Sequence, residues 1–202
     1  MALSPAAPRS PLHTRRIVCE GFRREDGDFD IEARILDIKA YGYTEPFRGH
    51  RAPGDPVHDM TVRLTVSSDM VVRAIEVDMP ETPYTTCQGA RAAFQGLTGA
   101  RIGPGWRKAV NEAVGGVRGC THVRELLFPM ATVAFQTIGG WSSDDEARVE
   151  GTEARVQATE APEHVLRRSE RPYFLDGCIS WASDGEIVAQ LHPQYARPLS
   201  RD

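Results

Sequence analysis

The sequence predicts an α+β fold in which an antiparallel sheet of about four to six strands carries three helices on one side. Three observations support that class. Apolar and polar residues alternate at period two up to about position 80, apolar residues recur at helical spacing from about 90 to 138, and the strands are joined by short turns. The chain has 202 residues, 41% of them hydrophobic and 26% charged, which suits one core with an appendage and excludes a disordered or fibrous protein.

Residues 1–12 read as an extended arm, because Pro5, Pro8 and Pro11 forbid a continuous helix. Arg15 to Arg23 form a first strand, with Ile17, Cys19 and Phe22 as its apolar members. Asp26-Gly27 is a hairpin signal. Phe29, Ile31, Ala33 and Ile35 then alternate with Asp30, Glu32 and Arg34, so a half-buried strand follows. Residues 44–57 are rich in proline and glycine and read as loop. Met60, Val62, Leu64 and Val66 mark a third strand, and Val71 to Met79 return as a fourth after the Ser67-Ser68-Asp69 turn.

Helical spacing begins with Ala90, Ala93, Phe94 and Leu97, and Gly99 supplies a stop. Trp106, Ala109, Val110 and Ala113 share one face of a second helix that ends at Gly115-Gly116. A third helix starts near Cys120, with Val123, Leu126, Leu127, Met130 and Ala134 in its stripe and Pro129 inside it. The core domain therefore runs over 13–138. Residues 139–170 form a polar linker that holds few large apolar groups. Residues 171–202 read as a terminal hairpin packing on the core, its strands Tyr173 to Trp181 and Glu186 to Leu191.

A formal charge of -4 predicts no nucleic-acid partner. No apolar run approaches the ~18 residues of a membrane span, and the first residues lack the apolar stretch of a signal peptide. The expectation is a soluble, cytoplasmic protein. Four cysteines, Cys19, Cys87, Cys120 and Cys178, are too few for a disulfide scaffold and are read singly.

The sharpest chemical feature is Gly119-Cys120-Thr121-His122 at the start of the third helix. Free amide hydrogens and the partial positive charge of a helix N-terminus favour a thiolate, so Cys120 is a candidate nucleophile or metal ligand. If Cys120 lies outside the first turn, its side chain and that of His122 converge. Cys87, in Thr86-Cys87-Gln88-Gly89, also opens a helix and is a second candidate ligand, with burial in the core as the alternative. His58-Asp59, where a loop enters the third strand, offers two further ligands. Glu125 is a candidate proton shuttle. His13 is either solvated or part of the site, Cys178 either core or a third thiolate, and Cys19 core. No Gly-x-Ser-x-Gly elbow or phosphate-binding glycine motif occurs.

Leu12-His13-Thr14-Arg15-Arg16, His58-Asp59-Met60, Arg101-Ile102-Gly103-Pro104-Gly105-Trp106 and Gly116-Val117-Arg118-Gly119-Cys120-Thr121-His122 resemble a bacterial family of unknown function, DUF2889. That resemblance implies no activity. A more distant likeness, carried by Val117-Arg118-Gly119-Cys120 and Cys87-Gln88-Gly89-Ala90, is to iron–sulfur cluster scaffolds of the IscU/NifU-like type. It implies a similar core and a site built from Cys87 and Cys120, with His58 or Asp59 where the scaffold has its first cysteine. Zinc fits that mixed donor set.

Three functions follow. The first is a protein binding zinc or iron through Cys87, Cys120, His122, His58 and Asp59, with a metal-dependent hydrolase or hydratase acting on a small molecule as its activity. The second is a metal-free enzyme in which Cys120 is the nucleophile of acyl-transfer or thioester chemistry. The third is a non-catalytic iron–sulfur or protein-partner assembly factor.

Overall fold

Phe29, Ile31, Ala33 and Ile35 alternate with polar neighbours, and all four are buried, so the period-two pattern reports the sheet face correctly. The structure is a computed structural model that describes residues 3–139, 175–176 and 181–197. It divides into two units, Met1–Gly139 and Gly140–Asp202.

In the first unit, strands β1 (His13–Arg23), β2 (Phe29–Lys39), β5 (Pro56–Val66) and β6 (Val72–Glu81) form one antiparallel sheet in the order β1-β2-β5-β6. Strands β3 (Tyr43–Glu45) and β4 (Gly49–Arg51) make a separate small hairpin. The chain is thus α+β, with a sheet at the lower end of the expected strand count.

The hairpin corrects the reading of 44–57 as plain loop. Its turn holds Arg48, whose Nη1 donates to Glu81 at 2.9 Å and whose Nη2 donates to Glu45 at 2.7 Å and to the carbonyl of Val57 at 3.2 Å. One guanidinium therefore ties the hairpin to the start of β5 and the end of β6. Those bonds were invisible in a segment whose composition speaks only of prolines and glycines.

Helices α1 (Trp106–Val114) and α2 (Thr121–Gly139) follow the predicted stripes. Val123, Leu126, Leu127, Met130 and Ala134 of α2 are buried with the inner residues of β2 and β5 in one cluster. Trp106 donates its Nε1 hydrogen to the carbonyl of Leu127 at 2.9 Å, which satisfies a buried indole and locks α1 to α2. At Gly21 of β1 a Cβ would stand 1.8 Å from Oγ1 of Thr137, so the glycine is what lets α2 lie against the first strand.

The segment Thr85–Leu97 is a 3-10 helix and runs along β6. Apolar groups three apart, such as Phe94 and Leu97, suit either helix type, so spacing alone could not tell them apart. Its Gln88, Arg91 and Gln95 donate to the carbonyls of Met79, Val77 and Ile75 at 2.6, 2.9 and 2.8 Å. Alternate carbonyls of the β6 edge are thereby closed by side chains.

In the second unit, Glu186–Leu191 is an α-helix, α3, and not the strand expected of a terminal hairpin. It follows Gly185, carries Glu186 in its first turn and buries Val188. Six residues are too few for periodicity to separate helix from strand. Of the linker expected over 139–170, Gly139 is the last residue of α2; the rest of it and most of the partner strand before Trp181, Cys178 included, lie outside the described residues. Among the described residues no helix is long and apolar enough to cross a membrane.

Candidate metal centre

Asp37 continues the buried parity of β2 beyond Ile35, which puts a carboxylate where an apolar side chain is due. It is 1% exposed. The antiparallel register brings Arg15 and His58 directly across from it on β1 and β5. Arg15 donates from Nε to Oδ1 and from Nη2 to Oδ2, both at 2.7 Å, a bidentate fork that offsets the cost of burying the charge. Nδ1 of His58 lies 2.9 Å from Oδ2, and Nε2 of His13 lies 3.3 Å from Oδ1.

Burial opposes ionisation of Asp37, but the Arg15 and His58 contacts outweigh it and hold its carboxyl below the usual range. An ionised carboxylate only accepts, so the short contact requires the proton on Nδ1 of His58 and leaves the Nε2 lone pair free. Burial pushes His58 below the ordinary imidazole value despite the pull of Asp37. His122 is lowered too, first by burial and then by the charges of His58 and Arg15. Both rings are thus neutral bases at neutral pH.

His122 comes from the first turn of α2, and its ring stacks on His58 with centroids 3.7 Å apart and planes tilted by 32°. The donor atoms of Asp37, His58 and His122 lie within 4.8 Å of one another, a group able to hold a metal ion. A cavity of about 430 Å³ opens beside the two imidazoles, walled further by Lys39, Tyr43, Tyr84 and Cys87.

The residues singled out from sequence separate into three sets. His58 and His122 meet in the group, and Cys87 lines the same cavity. Cys120 immediately precedes α2, and its Sγ stands 3.9 Å from Nδ1 of His122, the convergence expected of a cysteine outside the first turn. Close packing sets that position, since a Cβ on Gly119 would stand 2.6 Å from the carbonyl oxygen of Val114. Asp59 and Glu125 stand apart. Asp59 pairs on the other sheet face with Arg34, at 2.8 and 2.6 Å, and Glu125 pairs with Arg124 at 2.7 Å. Glu125 reaches the centre only through its charge, which adds to the stabilisation of the Arg15 cation. Cys19 is half-buried against the core.

Sequence patterning alone singles out neither Asp37 nor its pairing with Arg15 and His13. The signal was present: an aspartate on the apolar parity of a strand is out of place unless something is paired with it.

The model of a family described as a protein of unknown function (DUF2889) matches residues 13–136, and the chain belongs to that family. No curated protein and no solved structure matches the chain.

Proposed function

We propose that this family member binds one transition-metal ion, zinc or iron, through the imidazoles of His58 and His122, and uses it to hydrolyse or hydrate a small molecule. The observation that carries the reading is the approach of a buried carboxylate and two neutral imidazoles to within 4.8 Å beside a cavity. Ligands on a tetrahedral ion stand roughly 3.4 Å apart for bonds of about 2.0–2.1 Å, and the two imidazoles, with ring centroids 3.7 Å apart, are already neighbours on that scale. Asp37 serves behind His58. Its oxygens already accept from Arg15 and His58, and it holds the Nδ1 hydrogen so that Nε2 points outward, the usual partnership of a carboxylate with a ligating histidine. Cys120 beside His122, and Cys87 on the cavity wall, are the thiols at hand to complete the ligand set.

A set of three protein ligands leaves one position open to water or substrate, and an ion so held lowers the pKa of its water towards ~7. The cavity of about 430 Å³ suits a small substrate. The cluster-scaffold alternative finds less support, because the donors that converge are imidazole and carboxylate rather than several thiolates.

One observation favours a second reading. The 3.9 Å contact between Cys120 and a His122 kept neutral by burial is also a thiol beside its base, the arrangement of a metal-free cysteine nucleophile. Elemental analysis of protein purified without oxygen separates the two. The metal reading predicts near-stoichiometric zinc or iron in the wild type and its loss in His58→Ala and His122→Ala. Metal-free wild type whose Cys120 is rapidly alkylated at neutral pH transfers the assignment to the nucleophile.

A further inference from the structure

The two edges of the sheet are finished differently. The β6 edge is closed by Gln88, Arg91 and Gln95. Strand β1 forms the other edge, and among the described residues no strand pairs with its outer side. It is 11 residues long, pairs with β2 without a register shift, and contains neither proline nor lysine. Ile17, Val18 and Phe22 are 43, 55 and 46% exposed. A long, regular and partly apolar edge is a template for another strand.

We infer that β1 pairs antiparallel with β1 of a second copy, joining two sheets across a two-fold axis at Val18. The occupant follows from the sequence of the strand itself. An axis normal to the sheet keeps each residue on its own face, so the strand can only slide in steps that preserve parity. Val18 is the midpoint of His13–Arg23, so this register overlaps the whole strand. The same register sets Arg16 opposite Glu20 of the second copy and Glu20 opposite its Arg16, flanking a Val18–Val18 pair. Sliding the axis by one residue along the strand in either direction sets Arg16 against Val18 or against Phe22 and loses both charge pairs.

The outer face supplies a second reason. Glu20 lies directly across from Glu32 on β2, a like-charge cross-strand pair that is unfavourable by itself. Glu32 receives Arg63 at 2.7 Å, whereas neither Glu20 nor Arg16 has an ionic partner among the described residues. Arg16 of a second copy brings a cation to Glu20. The opposite face of β1 is held by α2 through the close approach of Thr137 to Gly21, so the strand is supported from behind. Pairing of the two edges adds roughly ten main-chain hydrogen bonds, and the charge pairs set the register.

Sedimentation equilibrium of the full chain over a range of concentrations tests this, with circular dichroism confirming that each variant folds. The wild type is expected to be a dimer. Arg16→Glu and Glu20→Arg, both exposed positions, each set like charges opposite one another twice and raise the dimer dissociation constant more than about tenfold. The double exchange, Arg16→Glu with Glu20→Arg, restores it. A monomeric wild type, a dimer indifferent to the single exchanges, or a double exchange that fails to restore association each overturns the inference.

Discussion

His58 and Asp59 are neighbours on β5, and both are ligand types that first-row metals accept, yet the sheet sends them to opposite fates. His58 shares the parity of Met60, Val62 and Leu64 and turns inward to Asp37. Asp59 shares the parity of Thr61 and Arg63 and turns outward to Arg34, in a band of ion pairs that also holds Arg63 and Glu32. Both faces use carboxylates and guanidinium groups. Only the inner one buries a carboxylate to 1% exposure and surrounds it with imidazoles and a fork of two 2.7 Å hydrogen bonds. Burial, rather than residue type, turns charge into a site.

The largest effect is expected at Asp37. Asp37→Asn removes the acceptor charge from Arg15 and His58 and is expected to destabilise the fold by about 2–3 kcal/mol, the scale of hydrogen bonds to a charged group. The larger cost of a fully stranded buried charge does not apply, because the Arg15 side chain is 38% exposed and can turn to water. Urea denaturation measures the loss; an unchanged midpoint would mean the cluster contributes nothing to the fold.

Stability should also depend on pH through the inner cluster. His58 and His122 have folded values below the ordinary ~6.5, so the unfolded chain takes up protons first as pH falls. Their contribution is complete above about 6.5 and is lost as pH drops towards their depressed folded values. Asp37 is depressed as well, so its contribution holds above about 3.9 and is lost as pH falls through its folded value. Chelated protein should therefore lose stability in two stages, and His58→Gln with His122→Gln should flatten the earlier stage alone. Denaturation midpoints that stay level from pH 7.5 to 5.5 would contradict the assignment of neutral buried imidazoles.

The smallest effect belongs to the outer face. Asp59→Asn breaks a pair whose arginine is largely solvated and should change stability by no more than about 0.5 kcal/mol. A loss comparable to that of Asp37→Asn would erase the distinction between the faces.

Much of this was legible in the alternation itself. The β1–β2 hairpin, β5, β6 and the stripes of α1 and α2 follow from period two and helical spacing, because burial on one face imposes those periods. The site was legible in part. His122 and Cys120 stood out at a helix start, and His58 at a strand end. A strand that starts at Met60 leaves Asp59 grouped with His58 in the loop; β5 starts at Pro56, and alternation then separates the two. Asp37 was hidden for the same reason, since reading β2 only as far as Ile35 stops one inward position short of it. Arg15 and His13 act through register across strands, which a single sequence does not display. The β3–β4 hairpin depends on Arg48, a long-range tie that local composition does not reveal.

The most direct measurement is calorimetric titration of metal-free protein with zinc, comparing the wild type with His58→Ala and Asp59→Ala. Tight one-to-one binding is expected in the wild type, undiminished in Asp59→Ala and abolished or weakened by at least about tenfold in His58→Ala. Equal affinities in all three proteins, or no binding in the wild type, would contradict a metal centre on the inner face.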